Sequence, residues 1–112
     1  MAETVETAVT QGRSQIFQGT ELKFSLDIQI EGFSMVDDDF FIVIRNGVGK
    51  SVTIQKSAML LQEDEKFLFT VDTEELGTGK YTIITTAFVP DGDFEDGLRT
   101  EVDKRTLCEV EQ

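Results

Sequence analysis

Leu22-Lys23-Phe24-Ser25-Leu26-Asp27-Ile28-Gln29-Ile30 sets apolar and polar side chains in strict alternation. Successive side chains of a β-strand point to opposite faces, so this stretch is a strand with one buried and one solvated side. An α-helix would scatter the same hydrophobes around its circumference. Segments of similar texture follow at 40–45, 51–56, 66–71, 81–89 and 99–110, each bounded by Gly, Asn, Asp or Pro, and 14–18 adds one before them. Seven short strands at roughly ten-residue spacing predict an all-β fold, an immunoglobulin-like antiparallel β-sandwich of about seven strands, because a parallel sheet would need helical crossovers between them.

No long helix fits between these strands. The best helical candidate, 57–65 with Ala58, Met59, Leu60 and Leu61, is barely two turns long and is read as a loop plugging the end of the sandwich. Asn46-Gly47-Val48-Gly49 joins two strands with residues that tolerate positive φ, as a tight hairpin connection requires. Tyr81, the lone tyrosine, opens its strand just after the turn Gly77-Thr78-Gly79, the place of a tyrosine corner whose hydroxyl returns to nearby backbone. Antibody-type domains carry a cysteine two residues further on; here that position holds Ile83.

Residues 13–112 are read as the sandwich domain and 1–12 as a flexible or exchanging arm. The arm is polar, yet Thr4, Val5, Thr7, Val9 and Thr10 favour extended backbone. It therefore suits addition to an exposed sheet edge of a neighbouring subunit, against which stands a simple frayed terminus.

A chain of 112 residues with 39% hydrophobic side chains is sized for one domain with one core. Nine Phe against no Trp and a single Tyr make the large side chains ones that need no hydrogen-bond partner, and they are read as core filling. Twenty-two acidic residues against ten basic ones repel a phosphate backbone and an anionic lipid surface, so neither nucleic acid nor membrane is an expected partner. Met1-Ala2-Glu3-Thr4-Val5-Glu6 lacks the basic and apolar parts of a signal peptide, which leads to an expectation of cytoplasmic synthesis. Cys108, the single cysteine, can form no intrachain disulfide and is read as a small buried hydrophobe.

The absence of histidine from the sequence removes the usual general base, the Ser-His-Asp and Cys-His arrangements and most zinc sites. No catalytic residue and no cofactor is expected, and the chain is read as something other than an enzyme. The short pieces around Gly47 and Gly77 lead into strands rather than helices and are turns, not phosphate loops. Sugar binding is disfavoured by the near absence of Trp and Tyr.

If consecutive strands run antiparallel, the loops 31–39, 58–64 and 90–98 share one end of the sandwich. They hold Glu31, Asp37, Asp38, Asp39, Glu63, Asp64, Asp91, Asp93, Glu95 and Asp96, with no Lys or Arg among them. These carboxylates form a candidate partner-binding pole. Three readings compete: a docking surface for a basic partner, solvated loops that keep the domain soluble, and a Ca²⁺ site. The run Asp91-Gly92-Asp93-Phe94-Glu95-Asp96-Gly97 has calcium-loop composition but not EF-hand register, which would put Gly at the place of Asp96 and Glu at that of Val102.

Taken together, Gly19-Thr20-Glu21-Leu22-Lys23-Phe24, Asp39-Phe40-Phe41-Ile42-Val43-Ile44, Phe67-Leu68-Phe69-Thr70-Val71-Asp72-Thr73, Leu76-Gly77-Thr78-Gly79-Lys80-Tyr81 and the passage from Val89-Pro90-Asp91 to Gly97-Leu98-Arg99-Thr100-Glu101-Val102 resemble small sandwich proteins of tailed bacteriophages and prophages. The resemblance spans about residues 14–110 and is nearest in texture to the amino-terminal domains of baseplate upper proteins. It implies a non-catalytic structural protein of a tail, baseplate, neck or capsid decoration, contacting itself and other virion proteins, and located in the virion. The alternative is an immunoglobulin-like binding or adhesion module, with carbohydrate or calcium as its ligand. Ending at Gln112 without a fibre segment favours a connector, decoration or accessory subunit within the first of these.

Overall fold

A computed structural model describes residues 6–10, as backbone, and 21–110. The alternating stretch forms β2 (Glu21–Gln29) and buries Leu22, Phe24, Leu26 and Ile28, with Ile30 just beyond it. The other strands are β1 (Glu6–Thr10), β3 (Phe40–Asn46), β4 (Ser51–Gln55), β5 (Leu60–Leu61), β6 (Phe67–Asp72), β7 (Gly79–Pro90) and β8 (Leu98–Val110). They make two antiparallel four-stranded sheets, ordered β1-β2-β6-β5 and β4-β3-β7-β8. The two sheets pack face to face as a β-sandwich.

Between the sheets the core is closed by stacked Phe24 and Phe69, cross-strand partners with centroids 5.3 Å apart, and by Phe40 set edge-on to Phe67 at 5.2 Å. Each such ring removed from water contributes on the order of 2–3 kcal/mol, so the layers are held together chiefly by packing and without a disulfide. Thr85 is the polar intruder. It lies 2% exposed on the inner face of β7, and its hydroxyl has no hydrogen-bond partner among the described residues. Thr85→Val keeps the shape and removes the uncompensated hydroxyl, so it is expected to stabilise the protein by roughly 1 kcal/mol. A rise in the urea midpoint at unchanged slope checks this, and a fall would show that the hydroxyl is satisfied.

Two segments differ from the sequence reading. Residues 57–65 are not a plain loop: a 3-10 turn (Lys56–Ala58) carries the chain across to β5, which pairs Leu60 with Leu68 and Leu61 with Phe67. The crossing is pinned by Lys56, whose Nζ donates to the carbonyls of Val36 and Asp38, both at 2.8 Å, and lies 5.7 Å from the ring centroids of Phe40 and Phe67. From the segment read as an arm, residues 6–10 form β1, paired with β2 of the same chain from Glu6 opposite Gln29 to Thr10 opposite Ser25. The strand expected at 14–18 lies outside the described residues. A single helical turn, α1 (Thr73–Leu76), also joins β6 to β7, buries Leu76, and is capped by Asp72, which accepts from the Glu74 amide at 2.9 Å.

Edge strand β8 is long and modified along its length. A bulge shifts its register between Tyr81 opposite Cys108 and Thr82 opposite Thr106. On the side that continues the core, β8 places Glu101, Asp103 and Arg105 opposite Ala87, Thr85 and Ile83, with ion pairs Arg99–Glu101 and Arg105–Asp103 both at 2.7 Å. Inward charges of this kind discourage another strand from adding to an edge.

Candidate functional site

Strand directions bring the loops 30–39, 56–66 and 91–97 to one end of the sandwich, and the turns 47–50 and 73–78 to the other. The sequence-derived acids thus share one pole. Cations thread through it as well: Lys56 ties two loops, Lys66 lies 3.8 Å from Asp64, and Arg99 pairs with Asp91 at 2.9 Å.

Several of the aspartates are engaged by their own loops. Asp38 accepts from the Ser34 amide at 2.8 Å, Asp39 from that of Phe40 at 3.0 Å, Asp64 from that of Lys66 at 3.2 Å and Asp96 from that of Leu98 at 3.1 Å. Short acidic side chains turn loops in this way by satisfying amides that no ladder reaches. Asp91 accepts from the Asp93 amide and from Arg99, and these bonds hold its carboxyl below the usual range. The 91–97 loop closes on itself through Asp91 N–H to the Gly97 carbonyl at 2.8 Å. Asp37, Glu63, Asp93 and Glu95 stand exposed at this pole. Among the described residues no three acidic or cysteine side chains converge to hold a metal ion.

At the opposite pole the fully buried Tyr81 donates its hydroxyl to the Gly77 carbonyl, four residues upstream. Burial, then the nearby Cys108 and Asp72, push its pKa up to about 12. Gly77 has φ 86 and ψ −164, a conformation open in practice only to glycine, which brings its carbonyl under the phenol. Asn46, 3% exposed, sits beside it in register with Tyr81. Its Nδ2 donates to the Leu76 carbonyl, and its Oδ1 accepts from the amides of Val48 and Lys50 at 3.1 and 3.0 Å. The hairpin uses positive φ only at Gly49, and Asn46 closes it with its backbone, whose amide donates to the Lys50 carbonyl at 2.9 Å and whose carbonyl accepts from the Gly49 amide at 3.3 Å, as well as with its side chain. Cys108 is half-buried, and burial pushes its thiol up to about 11, so little thiolate exists at neutral pH.

The solvent faces of the two sheets are unlike. On the first, β2 and β6 present Glu21, Lys23, Ser25, Asp27, Gln29, Thr70 and Asp72, with Leu60 and Leu68 as an apolar corner. That is ordinary for an antiparallel sheet with one wet side. The outer face of the second sheet instead carries half-buried Phe41, Val43, Ile84 and Phe88 and 57% exposed Val102, and the Phe41 and Phe88 rings lie 6.0 Å apart. Threonines fill the gaps: Thr86 stands between Phe41 and Val102 in one cross-strand row, and Thr53 beside Val43 and Ile84 in the next. Its charged residues are Arg45, Lys80 and Lys104, with Glu109 opposite Lys80 as the one acid at the described positions. A face both apolar and mildly basic is out of keeping with a chain of net charge −12.

These residues were hidden in the sequence behind the reading of phenylalanine as filling. Of the Phe residues in the described chain, Phe24, Phe40, Phe67 and Phe69 are buried, whereas Phe94 is 48% exposed and Phe41 and Phe88 face outward. The signal available was the unbroken run Phe40-Phe41-Ile42-Val43-Ile44. A strand wetted on one side alternates, and one that does not is apolar on both. The chain matches no family model, no curated protein and no solved structure.

Proposed function

We propose that the chain is a non-catalytic interaction module, a structural part of a larger protein assembly that docks through the outer face of the β4-β3-β7-β8 sheet. The observation that carries this is the contrast between the two solvent faces. Both belong to the same kind of sheet in the same domain, yet one is polar apart from its Leu60–Leu68 corner and the other carries an apolar patch across its strands with few acids, the surface of a protein contact. A sequence without histidine agrees with a role in holding rather than in turnover.

Lysine footprinting tests the proposal, because lysines lie on each surface: Lys23 on the polar face, Lys50 at the hairpin end, and Lys80 and Lys104 on the apolar one. Amine labelling of the protein in its native assembly, compared with the isolated chain, is expected to show protection of Lys80 and Lys104 while Lys23 stays reactive. Protection of Lys23 with Lys104 fully reactive would contradict it.

A place in a phage or prophage virion is the narrower form of this proposal and draws on the sequence resemblance. Capsid, portal or tail genes beside this one would support it, whereas an outer-surface operon would favour the adhesion module.

A further inference from the structure

Resting on the docking face proposed above, we infer that its occupant is a second copy of this chain, seated through its acidic loop pole, so that copies join head to face. The two surfaces are complementary in both respects that matter for docking. On the face, Phe41, Phe88 and Val102 are accompanied by Arg45, Lys80 and Lys104. On the pole, the loops that carry the exposed carboxylates of Asp37, Asp93 and Glu95 also carry Val36 and Phe94, 43% and 48% exposed, and Leu61, 47% exposed, stands on β5 at the same end. Apolar groups meet apolar groups, and cations meet carboxylates, which fixes orientation as well as affinity.

Face-to-face pairing does not have this property. It would bring the Arg45, Lys80 and Lys104 cations of both copies into one interface with only Glu109 of each to offset them, and leave both acidic poles exposed. Pole-to-pole pairing is worse, since it opposes two clusters of acids. A head-to-face contact is heterologous: each copy uses one surface and offers the other, so the contact repeats and yields a ring or an open row of copies. This suits a structural part of an assembly.

Complementary variants decide the matter. The pole variant Asp93→Lys with Glu95→Lys keeps the face, and the face variant Val102→Glu with Lys104→Glu keeps the pole. Each changes only exposed side chains, and far-ultraviolet circular dichroism checks folding. Lys104→Glu alone serves as the face variant if the double one unfolds. In sedimentation velocity the wild-type chain is expected to grow beyond a dimer with concentration, each variant alone to stay monomeric, and an equimolar mixture of the two to regain assembly, forming at least a one-to-one dimer, because the unaltered face of one meets the unaltered pole of the other.

A pole variant that assembles like the wild type, beside a monomeric face variant, would overturn the head-to-face contact and leave the docking face standing. A face variant that still assembles would overturn both. A wild-type chain monomeric at every concentration would remove the second copy as occupant, and the lysine footprint would then judge the face by itself.

Discussion

Asn46→Ala is expected to lower the unfolding free energy by about 3 kcal/mol. The side chain holds three backbone groups at once, the Leu76 carbonyl and the amides of Val48 and Lys50. Water can reach the two hairpin amides after truncation, since Val48 and Lys50 are exposed. The Leu76 carbonyl is enclosed, and an unsatisfied buried acceptor costs roughly 1–3 kcal/mol by itself. Asn46→Asp separates the contributions, because it retains an acceptor for the amides but turns an anionic oxygen toward the Leu76 carbonyl. Urea unfolding should rank wild type above both variants by a wide margin. A loss below about 0.5 kcal/mol for alanine would mean that the hairpin and α1 are not joined through this residue.

The second large effect lies at Tyr81. With one Tyr and no Trp in the chain, phenolate absorbance reports this side chain alone. Tyrosine ionises by losing a proton, and burial raises its folded pKa from 10.0 to about 12. The unfolded chain therefore gives up the proton first. The stability linked to this shift is complete below pH 10 and disappears as pH rises through about 12. The titration is expected to show a midpoint near 12 with unfolding on the same curve, and a reversible midpoint near 10 with the fold intact would place the phenol in water. Tyr81→Phe removes the bond to the Gly77 carbonyl and should cost about 1–2 kcal/mol, while abolishing the absorbance change.

The alternation at 22–30 and the turn residues between later segments made the sandwich legible, because a two-residue period admits few other structures. The same regularity of antiparallel strands brought the acidic loops to one end. What the residues did not disclose depends on contacts distant in sequence. The sheet switch at β5 needs Lys56 to find two carbonyls in the 30–39 loop, and no local pattern encodes that. Asn46 looked like a turn residue and is one, but its main partner lies thirty positions away at Leu76. The apolar outer face was present in the unbroken 40–44 run, and was obscured because a continuous hydrophobic stretch also fits a strand buried on both sides within one domain.

That outer face is where the account is most exposed to test. In the assembled protein, a soluble gadolinium chelate should broaden the methyl resonances of Leu60 and Leu68 but spare those of Val43, Ile84 and Val102, which broaden in turn when the chain is diluted to monomer. Equal broadening of both sets in the assembled state would show the β4-β3-β7-β8 face to be open to solvent and would contradict its role as the contact surface.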